Sequence, residues 1–117
     1  MVNLILLILI VLIGLLVIYH QVEFKAFPPA GKFITIDNCK LHYITAGKGQ
    51  PVVFLHGGML SSRDFNAVIQ LAAMQGYHAI AFDRPGYGYS ERPKGVKVTP
   101  IYQARLIYRA LKELGID

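Results

Sequence analysis

The run Val52-Val53-Phe54-Leu55 constrains this chain most, because it is apolar without alternation and stops at His56-Gly57-Gly58. A strand with one wet face alternates apolar and polar residues. One that does not alternate is covered on both faces, as in a parallel sheet. The glycines break the run, and a helical pattern begins a few residues later. A strand passing through a glycine loop into a helix leaves backbone N–H groups unpaired at the helix start. Those groups can hold an anion, or a carbonyl oxygen that is gaining negative charge. The N–H of Gly58, and less directly that of Met59, are the candidate donors. Glycine suits the position because a side chain would obstruct an approaching acyl group. A tight strand-to-helix turn with positive φ would call for the same residues, and local sequence weighs the two readings evenly.

The N-terminus carries a second constraint. From Val2 to Tyr19 the only polar side chain is Asn3, and Leu4–Ile18 is unbroken apolar sequence. At about 1.5 Å per residue such a helix spans roughly 27 Å, close to the hydrocarbon thickness of a bilayer. A helix packed on a soluble core would show a polar face, and this one shows none. A cleaved signal peptide would place basic residues before the run and a small-residue cleavage site after it. No Lys or Arg precedes the run, and VIYHQVEF follows it. Residues 1–20 are therefore expected to be a single-pass transmembrane anchor with membrane lipid as its partner. Lys25 and Lys32, just beyond the span, lean toward a cytosolic C-terminal side.

The formal charge of +5 is scattered over separate sites with no basic stripe interleaved with aromatics, which argues against nucleic acid as a partner. A lone cysteine, Cys39, excludes an intrachain disulfide. His20, His42 and His78 lack ligand spacing, so neither a metal nor another cofactor is expected.

In chain order, Val22–Gly31 reads as an extended linker because of Pro28-Pro29. The β-rich runs KFITID and KLHYITA, separated by Asn38-Cys39, predict a hairpin, with Asp37 and Asn38 tolerant of turn geometry. After the glycines, Ser61 and Asp64 approximate a capping box, and Phe65, Val68, Ile69 and Ala72 follow at helical spacing toward a stop at Gly76. Tyr77–Phe82 predicts a second buried strand ending in Asp83, before the Gly- and Pro-rich stretch DRPGYGYSERPKG. Thr99 and Pro100 fit the N-cap and first position of a last helix. Its apolar stripe would be Ile101, Ala104, Ile107 or Tyr108, Leu111 and Leu114.

His56 sits where a strand becomes a loop with no carboxylate at useful spacing, and reads as a structural histidine rather than a general base. Gly88-Tyr89-Ser90-Glu91 begins like a nucleophile elbow, but Arg92 follows and no apolar strand precedes the serine. Ser61 and Ser62 read as caps. Asp83 and Arg84 are expected to tie their loop together by hydrogen bonds and an ion pair. Strand, Gly-Gly, helix and a strand ending in Asp83 also imitate a nucleotide-binding unit, although GGMLSS is not G-x-G-x-x-G and no Walker lysine is present.

With His56-Gly57-Gly58 after one strand, Asp83-Arg84-Pro85-Gly86-Tyr87-Gly88-Tyr89-Ser90 after the next, and LKELGI at the end, residues from about Lys32 to Asp117 resemble the N-terminal part of an α/β-hydrolase. The resemblance implies an α/β class: an incomplete α/β-hydrolase fold, antiparallel hairpin then parallel strands with helices, preceded by one transmembrane helix. Residues 1–20 would be the anchor, 21–31 the linker and 32–117 the hydrolase portion. Gly58, with Met59 beside it, matches the oxyanion donor, while His56, Gly57, Asp83 and Arg84 match structural loop positions. A second donor, the nucleophile, the acid and the base would all follow Asp117. The chain alone is thus expected to be inactive, and a small-molecule substrate with an ester, amide or related bond is implied only for a completed serine hydrolase. Family strand order would also leave Pro51–His56 with a bare, aggregation-prone edge. The alternatives are a non-catalytic, membrane-tethered interaction domain pairing through that edge, and the nucleotide-binding module.

Overall fold

The chain, seen in a computed structural model that describes residues 2–26 and 29–117, begins with helix α1, Val2–Ala26. Asn3–His20 has a mean hydropathy of 2.7 and is exposed throughout, so α1 is long and apolar enough to cross a membrane. The helix runs past the expected end of the apolar segment. Val22–Ala26, expected to be extended linker, continues it, since Val-Glu-Phe-Lys-Ala holds no glycine or proline to stop a helix already nucleated. Pro28, on which the linker reading partly rested, lies outside the described residues together with Phe27.

Strands β1 (Lys32–Ile36) and β2 (Cys39–Ala46) form the hairpin. Ile36 pairs with Cys39, so the connecting residues are Asp37 and Asn38, one position earlier than the sequence suggested. Both have positive φ, 49° and 59°, the left-handed pair of a two-residue hairpin turn, and Asn and Asp tolerate that region well. Cys39 is thereby the first residue of β2.

Strand β3 (Gln50–Leu55) is followed by a short 3-10 turn, Ser62–Phe65, and helix α2 (Asn66–Met74). Asp64 Oδ2 accepts the Ser61 N–H at 2.9 Å, which is the carboxylate half of a capping box. Strand β4 (Tyr77–Phe82) pairs parallel with β3 and antiparallel with β2, and the sheet order is β1-β2-β4-β3. Among the described residues β3 pairs with β4 alone, so its other edge is open, and Val53 and Leu55 stand 36% and 50% exposed.

The two faces of β4 divide the core. Ile80 and Phe82 pack with Ile36, Leu41 and Tyr43 against helix α3 (Pro100–Glu113). Ala79 and Ala81 face Ile69 of α2, with Ile44 beside them. The small alanines let α2 lie close, while the larger residues fill the α3 side. Thr99 caps α3, its Oγ1 accepting the Tyr102 N–H at 3.1 Å, and Pro100 occupies the first turn.

The buried stripe of α3 follows the expected one at Ile107, Leu111 and Leu114 and departs from it at Ile101 and Ala104. Leu106, Ile107 and Ala110 are buried, with Tyr102, Leu111 and Leu114 packed beside them. Ile101, Ala104 and Tyr108 are exposed, Ile101 at 67% and Tyr108 at 58%. Two apolar stripes lie side by side on this helix, and the hairpin and β4 cover one of them. On α2, Ile69 is buried as expected but Val68 is exposed.

Cys39 is buried, and its Sγ donates to the Glu91 carbonyl at 3.3 Å. Burial, with the Glu91 charge behind it, pushes the thiol pKa upward, which suppresses the reactive thiolate. Native protein should therefore react with a disulfide probe such as DTNB at least tenfold more slowly than denatured protein at pH 8, and equal rates would contradict the buried strand start.

Candidate functional site

The loop between β3 and the 3-10 turn holds the expected donors. His56, at the end of β3, is 4% exposed. The backbone N–H of Arg84 donates to His56 Nε2 at 2.9 Å, so the ring proton is on Nδ1, which donates to the Gly57 carbonyl at 2.7 Å. Tyr87 meets the ring edge-on, with centroids 5.3 Å apart. With both nitrogens engaged, His56 is a fixed strut rather than a proton carrier.

Gly57, Gly58, Met59 and Leu60 follow on the surface. The turn does use a positive φ, but at Met59, where it is 60°, and not at either glycine. A Cβ built on Gly58 would meet nothing within 4 Å, so folding does not demand glycine there. Among the described residues the amides of Gly58 and Met59 have no hydrogen-bond acceptor, and Met59 is 99% exposed. A left-handed, solvent-facing methionine beside two unpaired amides is a locally unfavourable arrangement of the kind that collects at ligand-contacting loops.

Asp83 leaves the end of β4 with its carboxylate 1% exposed. Oδ1 accepts the Ser62 N–H at 2.6 Å; Oδ2 accepts the Tyr89 N–H and the His42 Nδ1–H, each at 2.9 Å. Gly31 N–H donates to His42 Nε2 at 3.1 Å, which leaves the histidine proton on Nδ1, directed at the carboxylate. Ser90 bridges the same pair, its Oγ donating to the Asp83 carbonyl at 2.6 Å and accepting the His42 N–H at 2.9 Å. Burial alone would raise the Asp83 pKa, but the donors from His42, Tyr89 and Ser62 outweigh it and bring it from 3.8 down to about 2.

The ion pair expected between Asp83 and Arg84 is not what ties the loop. The Arg84 guanidinium lies over the Tyr87 ring, 4.6 Å from its centroid, and reaches Gln103 Oε1 at 3.4 Å. Adjacent residues at a strand end point to opposite faces, which sends the two side chains apart. Arg84 contributes through its amide instead. Sequence reasoning also gave no role to His42, the ring behind Asp83. Its signal was a polar residue set between apolar neighbours, Leu41 and Tyr43-Ile44, in a β-rich run, a group that needs a partner if buried.

Among the described residues no three His, Cys, Asp or Glu side chains gather within reach of one ion. A pocket of about 350 Å³ opens beside α2 between Gly31, Ile44, Thr45, Ile69 and Gln70, and no residue of the Gly57–Leu60 loop lines it. Chemically, the loop leaves the N–H groups of Gly58 and Met59 without protein acceptors. Ser90 is committed to two hydrogen bonds, consistent with its reading as a non-nucleophile.

A family model described as the alpha/beta hydrolase fold matches residues 50–117. The chain is 29% identical over 93 residues to haloalkane dehalogenase 2 of Mycobacterium tuberculosis, covering 80% of this chain and 32% of the relative. The fold aligns with epoxide hydrolase VrEH1 from Vigna radiata at a TM-score of 0.67 and 28% identity, over 73% of this chain and 28% of that one. An esterase from Exiguobacterium antarcticum aligns at 0.65 and 31% identity, over 74% and 32%. The chain spans about a third of the length of the curated haloalkane dehalogenase relatives it matches.

Two outcomes follow from the Asp83 geometry. Because its folded pKa is depressed, its stabilisation is complete above about pH 4 and disappears as pH falls through about 2. Denaturant titrations from pH 5 to pH 2 should lose roughly 2 kcal/mol from this group, and Asp83→Asn should flatten that part of the profile. Gly88 has φ +51°, and a Cβ there would sit 2.4 Å from Asp83 Oδ2. Gly88→Ala should therefore cost more than about 2 kcal/mol in the same assay.

Proposed function

The chain belongs to the alpha/beta hydrolase fold family, and on that premise we propose that it is the N-terminal portion of a membrane-anchored serine hydrolase. It supplies the oxyanion-binding loop, and α1 supplies the anchor. The observation that carries this reading is the pair of unpaired amides at Gly58 and Met59, set directly after β3 and His56. Hydrogen-bond donors fixed in advance where charge develops are among the largest contributions to acyl-transfer rates. The relatives named above are a haloalkane dehalogenase, an epoxide hydrolase and an esterase, so the fold serves more than one kind of attacked bond. An ester, amide or related small-molecule substrate remains the proposal, with the nucleophile, acid and base supplied by sequence outside these 117 residues.

The open edge of β3 supports a second reading, a non-catalytic tethered domain that binds a partner by strand addition. Esterase assays separate the two. The complete polypeptide should hydrolyse a p-nitrophenyl ester, and the 117-residue chain alone should not. Gly58→Ala should leave stability within about 0.5 kcal/mol, since its Cβ enters open space. In the complete enzyme its methyl would stand where the acyl group approaches, and by misplacing that group should nevertheless cut kcat by on the order of 10²-fold. Unchanged turnover would remove the oxyanion reading. For the anchor, the chain should stay with the membrane pellet after alkaline carbonate washing, and release into the supernatant would remove that part.

A further inference from the structure

The Gly57–Ser61 loop is held mainly at its ends. Among the described residues its own hydrogen bonds are local: His56 Nδ1 to the Gly57 carbonyl, and Ser61 with Asp64. Its attachments to the rest of the fold come from two consecutive residues at the end of β4. Arg84 donates its amide to His56 at the near end, and the Asp83 carboxylate receives the Ser62 amide at the far end. Phe82, which precedes them, is fully buried, so both attachments share one rigid base.

We propose that Asp83 is the positioning residue of the Gly58–Met59 loop, acting through the Ser62 amide while His42 and the Tyr89 amide hold the carboxylate in place. The functional meaning rests on the oxyanion reading of that loop, but the test does not. A carboxylate is required because both oxygens accept from N–H groups, one at Oδ1 and two at Oδ2. An asparagine must turn its NH₂ toward one side. The arrangement that opposes fewer donors places it against Ser62 and releases the loop end. His42 cannot compensate by moving its proton, because Gly31 occupies Nε2 as a donor.

Ser62→Pro breaks the same bond from the other side. Ser62 is the first residue of the 3-10 turn, where proline is well accommodated. Ser61 before it has φ −149° and ψ 173°, the extended geometry that a residue preceding proline adopts. Asp83→Asn and Ser62→Pro should therefore converge on one loop phenotype although they differ at every other contact.

The test is ¹⁵N relaxation on the full 117-residue chain in detergent micelles. Order parameters at Gly58 and Met59 should fall from roughly 0.85 to below about 0.6 in both variants. Amide exchange at Ile44 and Ile80 should stay within tenfold of wild type. Arg109→Ala, which breaks the same exposed ion pair with Asp37 from a helical position that accepts alanine, should leave the loop unchanged. If Asp83→Asn does not fold, Ser62→Pro decides. Wild-type order at Gly58 and Met59 in a folded Ser62→Pro variant overturns the proposal, as does equal loosening in Arg109→Ala. Loop order that survives in Ser62→Pro leaves the oxyanion reading standing. Unaffected turnover in Gly58→Ala removes that reading and leaves the positioning result intact.

Discussion

The buried carboxylate of Asp83 is the point on which this structure depends. An ionised group at 1% exposure is tolerable only because three N–H dipoles converge on it. Those donors come from three separate stretches of chain: β2, the turn before α2, and the loop after β4. One ion thus specifies where three connections meet, a job that apolar packing does poorly because it is indifferent to direction. The exposed pairs Arg109–Asp37 and Lys112–Asp117 are weak by comparison, since water screens them and their side chains lose freedom in forming them.

Much of the fold was legible. The apolar runs marked β3 and β4, Thr99-Pro100 marked the start of α3, and Asp37-Asn38 marked the hairpin, because each signal is local and the structure uses it locally. Three things were not. The covered side of α3 could not be chosen from sequence, since Ile101, Ala104 and Tyr108 are as apolar as the residues beside them; only the position of the hairpin decides. The partner of Asp83 was misjudged because Arg84 is its neighbour in sequence, whereas His42 becomes its neighbour only through the β2–β4 pairing. At the candidate site, the glycines marked the break between strand and helix, but the left-handed residue of that turn is Met59 and neither glycine.

The sheet order places the candidate loop at a border of the fold. β3 has β4 on one side and an open ladder on the other, and its outward residues Val53 and Leu55 share the α3 side of the sheet with Ile80 and Phe82. The clamps on the loop nevertheless come from the end of β4, which like β2 has neighbours on both sides. Its two attachments are therefore taken from the end of an interior strand, while the candidate donors follow an edge strand.

The amide of Gly31 decides which imidazole nitrogen of His42 is protonated, and so sets the polarity of the whole relay from Gly31 to Asp83. Gly31 stands on the stretch that follows α1 in the chain. Were that stretch drawn away, Nδ1 would keep its proton against the carboxylate, but Nε2 would be left a buried acceptor without a donor. The first residues beyond the N-terminal helix thus complete the hydrogen bonding of a group two strands away from the loop it helps to hold.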